Sequence, residues 1–190
     1  MQVVRNASIA LALGLVISGA MAGEIAGSTV LSTGAVNTSV GFLATARQNI
    51  GVAEQNGKIT SSTVIVNGAA NTAAGFLSTA TQSVGRATQN GKITNSTVLG
   101  QALNNTAAGF LSTATQEVGF AKGNGTVENS LVQANGASNV AAGFLSTASQ
   151  QIGGAQGNGK LKNSTVIATG SVNTAGGFLS TAAQSIGVAK

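Results

Sequence analysis

The chain contains no cysteine, histidine, tryptophan, tyrosine, aspartate or proline among its 190 residues. Each absence closes off a class of chemistry. Without cysteine or histidine there is no thiol nucleophile and no Cys/His metal site, and without histidine and aspartate there is no Ser-His-Asp triad. Charge is scarce too, at 7% of residues, where ordinary domains carry about 25%. The acids are Glu24, Glu54, Glu117 and Glu128, and nine basic residues bring the net charge to +5. Those bases are scattered singly and aromatics amount to 3%, so a nucleic-acid binder's basic stripe and stacking platforms are both missing. Apolar residues reach 43% without the long runs of a membrane-spanning protein, and no stable membrane insertion is expected.

What remains is rich in Gly, Ala, Ser, Thr, Asn and Gln, a composition suited to stacking. The reactive side chains left are Ser, Thr, Lys and Glu, and no spacing brings a base to a nucleophile. Gly-rich pieces such as Gly123-Asn124-Gly125 lack the Lys-Ser/Thr of a phosphate loop. The expectation is a protein that is not an enzyme and that needs no cofactor or metal.

Residues 1–22 read as a secretory signal peptide. Arg5 gives a basic start, Ile9 to Ile17 an apolar stretch, and Ala20-Met21-Ala22 a small-residue cleavage site. Export to the cell surface or beyond follows as an expectation.

A period of 34 residues runs through the rest. Phe42, Phe76, Phe110, Phe144 and Phe178 are 34 apart, as are Asn37, Asn71, Asn105, Asn139 and Asn173. The same step links Gln48, Gln82, Gln116, Gln150 and Gln184, and also Thr45, Thr79, Thr113, Thr147 and Thr181. Five units without insertions are predicted, over 23–56, 57–90, 91–124, 125–158 and 159–190. Cleavage after Ala22 would open the chain on a unit boundary and leave no residues for caps. Solenoids that stay monomeric carry polar caps, so such an array is expected to stack end to end.

Within a unit, Lys58 to Val66 is rich in Ile, Val and Thr between Asn-Gly turns and reads as a strand. Ser62, Val64 and Val66 share one parity, Asn71, Ala73, Gly75, Leu77 and Thr79 another, and Gln82 with Val84 a third. Three short strands and three corners make one coil, giving an all-β parallel β-solenoid of five coils. A rival reading places Ala73, Phe76, Leu77, Ala80 and Val84 on one helical stripe, with one strand and one helix per repeat in an α/β solenoid. Gly75, Ser78, Thr79, Thr81 and Ser83 are weak helix formers, which favours strands.

In the β reading identical residues stack about 4.8 Å apart. The Asn and Gln columns would then form amide ladders. Parity with Asn71 and Ala73 sends Leu77 inward and leaves Phe76 outside as a contact surface; a bulge would reverse this and put the Phe column in the core. Lys58, Lys92 and Lys160 share a column that begins with Glu24, so head-to-tail stacking would set Lys160 of one chain against Glu24 of the next. Glu128 and Lys162, neighbours in another column, could pair within a chain.

The pattern Ser62-x-Val64-x-Val66-x-Gly68-x-x-Asn71-x-Ala73 resembles the curlin repeat, the Ser…Gly-x-x-Asn-x-Ala motif of secreted bacterial amyloid subunits. It recurs from Ser28, Ser130 and Ser164, with Ala102 at the glycine position of the third unit. The repeat here is much longer than a curlin repeat, Val66 stands where curlins have glutamine, and the Phe-Leu segment is foreign to them. The resemblance implies a homopolymer, exported with the help of an outer-membrane secretion pore and started by a nucleator, that builds extracellular fibres for biofilm or adhesion. Two other functions fit the repeat: a secreted module binding a matrix protein or polysaccharide through the Phe face, and an ice-binding surface built on the Thr columns.

Overall fold

The computed structural model describes residues 22–189. The expected signal peptide lies outside the described residues except for Ala22. The chain winds as a parallel β-solenoid, and no helix occurs among the described residues. The first coil comprises β1 (Ala22–Ala26), β2 (Thr29–Thr33), β3 (Val36–Val40) and the start of β4 (Leu43–Thr60), which runs on into the second. Then come β5 (Thr63–Asn67), β6 (Ala70–Ala74), β7 (Leu77–Ala87) and β8 (Lys92–Thr94). The third and fourth coils continue with β9 (Thr97–Gln101), β10 (Asn104–Ala108), β11 (Leu111–Ala121), β12 (Thr126–Glu128), β13 (Leu131–Asn135), β14 (Ser138–Ala142) and β15 (Leu145–Ala155). The last contains β16 (Lys160–Lys162), β17 (Thr165–Thr169), β18 (Val172–Gly176) and β19 (Leu179–Ala189).

The strands form three parallel sheets, in the orders β17-β13-β9-β5-β2, β18-β14-β10-β6-β3, and a nine-stranded sheet joining the long strands to the short ones. Register is one repeat throughout. Asn105 sits opposite both Asn71 and Asn139, and Gln116 opposite both Gln82 and Gln150. Each residue therefore meets its own counterpart in the coils on either side.

Alternation explains the core. Val64, Val98 and Val132 are fully buried and pack with Val84, Val118 and Ile152 of the facing strands. A second cluster consists of alanines, including Ala73, Ala80, Ala107 and Ala114, where opposite walls come close. The third gathers Ile59, Ile93 and Val127 with Ala87 and Ala121. Size changes in one column are offset in its neighbour. Gly100 stands where the second coil has Val66, and it vacates the space that Leu103 fills: a Cβ on Gly100 would lie 2.6 Å from Leu103 Cδ1.

The corners depart from the sequence reading in two ways. The strand expected over Lys58–Val66 is split at Ser61, whose φ is 49°; Asn95, Asn129 and Asn163 make the same left-handed corner in later coils. Each coil consequently has four strand segments. The second departure resets the alternation after Phe76, so the Phe-Leu segment does not alternate at all. Gly75 and Phe76 form a corner between β6 and β7, and alternation restarts with Ser78 inside, so Leu77 and Thr79 face outward with Phe76. Leu77 is not a core residue, and Phe76 is exposed. The corner needs glycine because its backbones touch: a Cβ on Gly75 would fall 1.6 Å from the Gly41 carbonyl oxygen. Ser78 closes it, its Oγ sharing its one proton between the carbonyls of Gly75 and Ala108, each at 2.7 Å.

Two substitutions test this backbone account. Ala102 has φ 48° at a corner where the other coils have glycine, and the left-handed region costs an L-residue about 1–2 kcal/mol. Ala102→Gly is expected to stabilise the chain by about 1 kcal/mol. Gly119→Ala is expected to cost roughly 2–5 kcal/mol, because φ is 59° and its Cβ would lie 2.5 Å from both Val132 methyls. Urea denaturation followed by far-ultraviolet circular dichroism measures both.

Candidate assembly interface

The inward Asn column forms a continuous ladder. Asn37 Nδ2 donates to Asn71 Oδ1 at 2.9 Å, Asn71 to Asn105 at 2.8 Å, and Asn105 to Asn139 and Asn139 to Asn173 at 2.7 Å each. The same amide groups tie the walls of the coil together, Asn71 Nδ2 sharing its two protons among Asn105 Oδ1 and the carbonyls of Ala46 and Thr81, the carbonyls at 3.1 and 2.8 Å. Asn71, Asn105 and Asn139 are fully buried, where an unmet amide would be costly.

The Gln column forms a second ladder with the opposite sense. Gln82 Nε2 donates back to Gln48 Oε1 at 2.9 Å, Gln116 to Gln82 at 2.7 Å, Gln150 to Gln116 at 2.6 Å, and Gln184 to Gln150. Each also reaches across the coil, Gln82 to the Ala69 carbonyl at 3.2 Å.

Because the two ladders run in opposite senses, the ends of the stack are complementary. The last coil ends its Asn ladder on a donor, Asn173 Nδ2, and its Gln ladder on an acceptor, Gln184 Oε1. The first coil presents the reverse, an acceptor at Asn37 Oδ1 and a donor at Gln48 Nε2. The backbone edges match as well: β16, β17, β18 and β19 bound one end, and β1, β2, β3 and β4 the other. No described residue lies over either edge.

The Phe column is a stack of parallel rings on the outer surface. Successive centroids from Phe42 to Phe178 are 5.1, 5.0, 5.1 and 5.3 Å apart, with interplanar angles of 1°, 2°, 6° and 12°. Neighbours cover the ring faces, so Phe110 is 43% exposed, whereas Phe42 and Phe178 at the ends are 70% and 77% exposed.

Glu24 pairs in register with Lys58, and Thr126 with Lys160, so Glu24 and Lys160 sit at opposite ends of the nine-stranded sheet. Glu128 and Lys162 are register partners, yet no ion pair joins them; among the described residues the ion pairs involve other groups. Arg86 lies 3.0 Å from Glu117 Oε2 and 3.5 Å from Glu54 Oε1, and Lys122 pairs with Glu117 Oε1. Glu117 is 1% exposed, and its partners Arg86 and Lys122, with Glu54 beyond, are partly exposed, so one buried carboxylate anchors an ion network that opens to solvent on one side of the stack. Sequence reasoning missed it because its members come from three columns whose residue types do not repeat, Glu54 and Lys122 standing two repeats apart in one of them.

Another ladder was also missed: Asn90 donates to Asn56, Asn124 to Asn90 and Asn158 to Asn124, at 2.7, 2.8 and 2.9 Å. Its signal was present in the Asn before each repeat-opening glycine, which reads first as a turn. The Ser column is the fourth hydrogen-bonded line, the Ser62 backbone N–H donating to Ser96 Oγ at 3.3 Å and Ser62 Oγ to the Thr60 carbonyl at 2.8 Å. No protein-family model, curated protein or solved structure matches this chain.

The ladder sets an expectation about position. Asn105→Ala strips a partner from each adjacent amide and leaves buried groups unmet, at roughly 3–5 kcal/mol. Asn173→Ala, at the open end, is expected to cost less than half as much. Urea midpoints of the two variants in the unassembled chain should differ accordingly; equal losses would mean that the ladder does not work as a continuous unit.

Proposed function

We propose that the chain is a structural subunit of an extracellular fibre that polymerises head to tail by continuing the solenoid from one molecule to the next. The observation that carries this reading is the complementarity of the two ends. Each unpaired edge offers a full set of backbone donors and acceptors, a liability that soluble β-proteins normally cover. Here both edges are flat, in register and matched in amide polarity. Head-to-head and tail-to-tail contacts would put donor against donor in one ladder and acceptor against acceptor in the other.

Stacking of the last coil on the first would bring Lys160 opposite Glu24, Phe178 onto Phe42, and Val166 above Val30. The end rings would regain the coverage that the central rings have. The export signal and the curlin-like Ser-Gly-Asn motif support placing the fibre outside the cell, in a biofilm matrix or an adhesive surface layer. A secretion pore and a nucleator are the partners such a route would use.

The Thr face supports ice binding less well. Thr45 to Thr181 form an unbroken outward column, but the next column reads Arg47, Thr81, Thr115, Ser149 and Ala183, so the flat hydroxyl array is only one residue wide at its ends. Polysaccharide binding through the Phe rings would need open ring faces, and the stack leaves these only at Phe42 and Phe178.

The test is assembly itself. The chain lacking residues 1–22, freshly removed from denaturant and left quiescent for a day, is expected to form unbranched filaments with a meridional reflection near 4.7–4.8 Å. A monomer stable over the same time would overturn the fibre reading. Charge at the junction gives a second expectation. Glu24→Lys should slow elongation about two- to tenfold at low ionic strength, an exposed pair being worth about 0–1 kcal/mol and a like-charge contact a similar penalty. Combining it with Lys160→Glu should restore the rate. If Glu24→Lys grows like the wild type at low salt, those residues do not meet.

A further inference from the structure

We infer that the outward Phe-Leu ridge is the surface on which two copies of this chain pair side by side, ridge to ridge. The inference rests on the fibre reading for its extent, since stacking makes the ridge continuous, but its chemistry is already present in one molecule. Phe76 and Leu77 both face outward because the Gly75-Phe76 corner resets the strand parity. Leu43, Leu111 and Leu179 are exposed beside their Phe neighbours. The result is two adjacent apolar columns running the whole length of the stack, flanked by outward columns made mostly of Thr, Ala and Ser, with Val40 and Arg47 as the exceptions in the first coil.

The ring geometry selects the occupant. Each central ring gives both faces to its neighbours and turns its edge to solvent, at spacings of 5.0 to 5.3 Å. A sugar ring needs an open aromatic face and finds none along the stack. What the ridge offers is a comb of apolar edges at the coil repeat. A partner that fills every tooth must carry apolar groups at the same repeat along its own axis, and a second copy of this ridge does so by construction. Such dry, interdigitated contacts between sheets with one repeat are the steric-zipper geometry.

The distribution of charge points the same way. The stretches 27–46, 61–80, 95–114, 129–148 and 163–182 contain no charged residue, and each includes the ridge. The acids and bases of the described coils lie beyond them, in the short-strand segment and the adjoining end of the long strands, with Arg47 the nearest to the ridge. Two copies meeting ridge to ridge therefore bring no like charges together, while the charged side of each stays in water. An apolar strip that lengthens with every added subunit soon exceeds the few hundred Å² that soluble surfaces tolerate.

The experiment is mass per length of filaments by scanning transmission electron microscopy, on the wild type and on a variant with Phe76→Thr, Phe110→Thr and Phe144→Thr. Five coils at about 4.8 Å give about 24 Å per subunit. The wild type is expected to show two chains per about 24 Å and the variant one, both with the same β circular-dichroism spectrum. A companion variant with Leu at the three Phe positions should keep the doubled mass, which separates apolar contact from loss of fold. Wild-type filaments with one chain per rise, or a Thr variant that stays doubled, would overturn the pairing while leaving the fibre reading intact. If no filaments form, the fibre reading fails on its own, and sedimentation of the soluble chain decides the ridge: a dimer lost in the Thr variant supports pairing, a wild-type monomer overturns it. Single filaments that co-sediment with phosphatidylcholine vesicles through the same Phe residues would assign the ridge to lipid and also overturn it.

Discussion

Every coil of this protein must fit directly onto a copy of itself, about 4.8 Å away. Most of the composition follows from that constraint. A charged column would place like charges at about that distance, a repulsion of about 0.9 kcal/mol per contact even in bulk water. Among the described residues only Lys58 and Lys92 stand in such a contact, and the column flanks them with Glu24 and Thr126. Asn and Gln suit the constraint because an amide carries both a donor and an acceptor and can bond to its own image above and below. Proline does not, because each interior strand needs its N–H groups for the ladder. Phe can repeat only as parallel stacked rings, which is what the outer column shows.

The same constraint makes the interior an unusual kind of core. Small alanines fill one part, Val and Ile two others, and between them the Asn and Gln ladders cross from wall to wall. These amides add wall-to-wall hydrogen bonds to the apolar contacts that link opposite sheets. Their buried groups are satisfied only while the register holds, so a slip of one coil relative to another would leave many of them unmet. At the two ends the ladders stop with opposite valences: Asn173 Nδ2 and Gln48 Nε2 keep their bonds to carbonyls within the chain, and no described amide stacks beyond them or beyond Asn37 Oδ1 and Gln184 Oε1.

Much of this was legible in the sequence because a strict period makes every column visible. The inward Asn71 and Gln82 ladders and the inward Val64 and Ile59 columns could be read from spacing and alternation, whereas Phe76 lies outside because it sits at the corner itself. What could not be read was the phase of the alternation across a corner. The Gly75-Phe76 corner consumes two residues, and nothing in the letters distinguishes that from a corner of one, so Leu77 was expected in the core and is found outside it. The split of Lys58–Val66 was hidden for the same reason, since Ser61 is an uncommon residue for a left-handed corner and the signal lies in its column mates Gly27, Asn95, Asn129 and Asn163. The Arg86, Glu117, Lys122 and Glu54 network broke the periodic rule altogether.

The central claim is that one molecule's last coil continues into the next molecule's first as though no chain end intervened. Helical reconstruction of the filaments by cryo-electron microscopy tests it most directly through the axial rise per subunit. Seamless continuation of five coils requires about 24 Å, with Asn173 against Asn37 and Gln184 against Gln48 at the junction. A rise larger by a coil or more, or a junction in which those amides face something else, would contradict it.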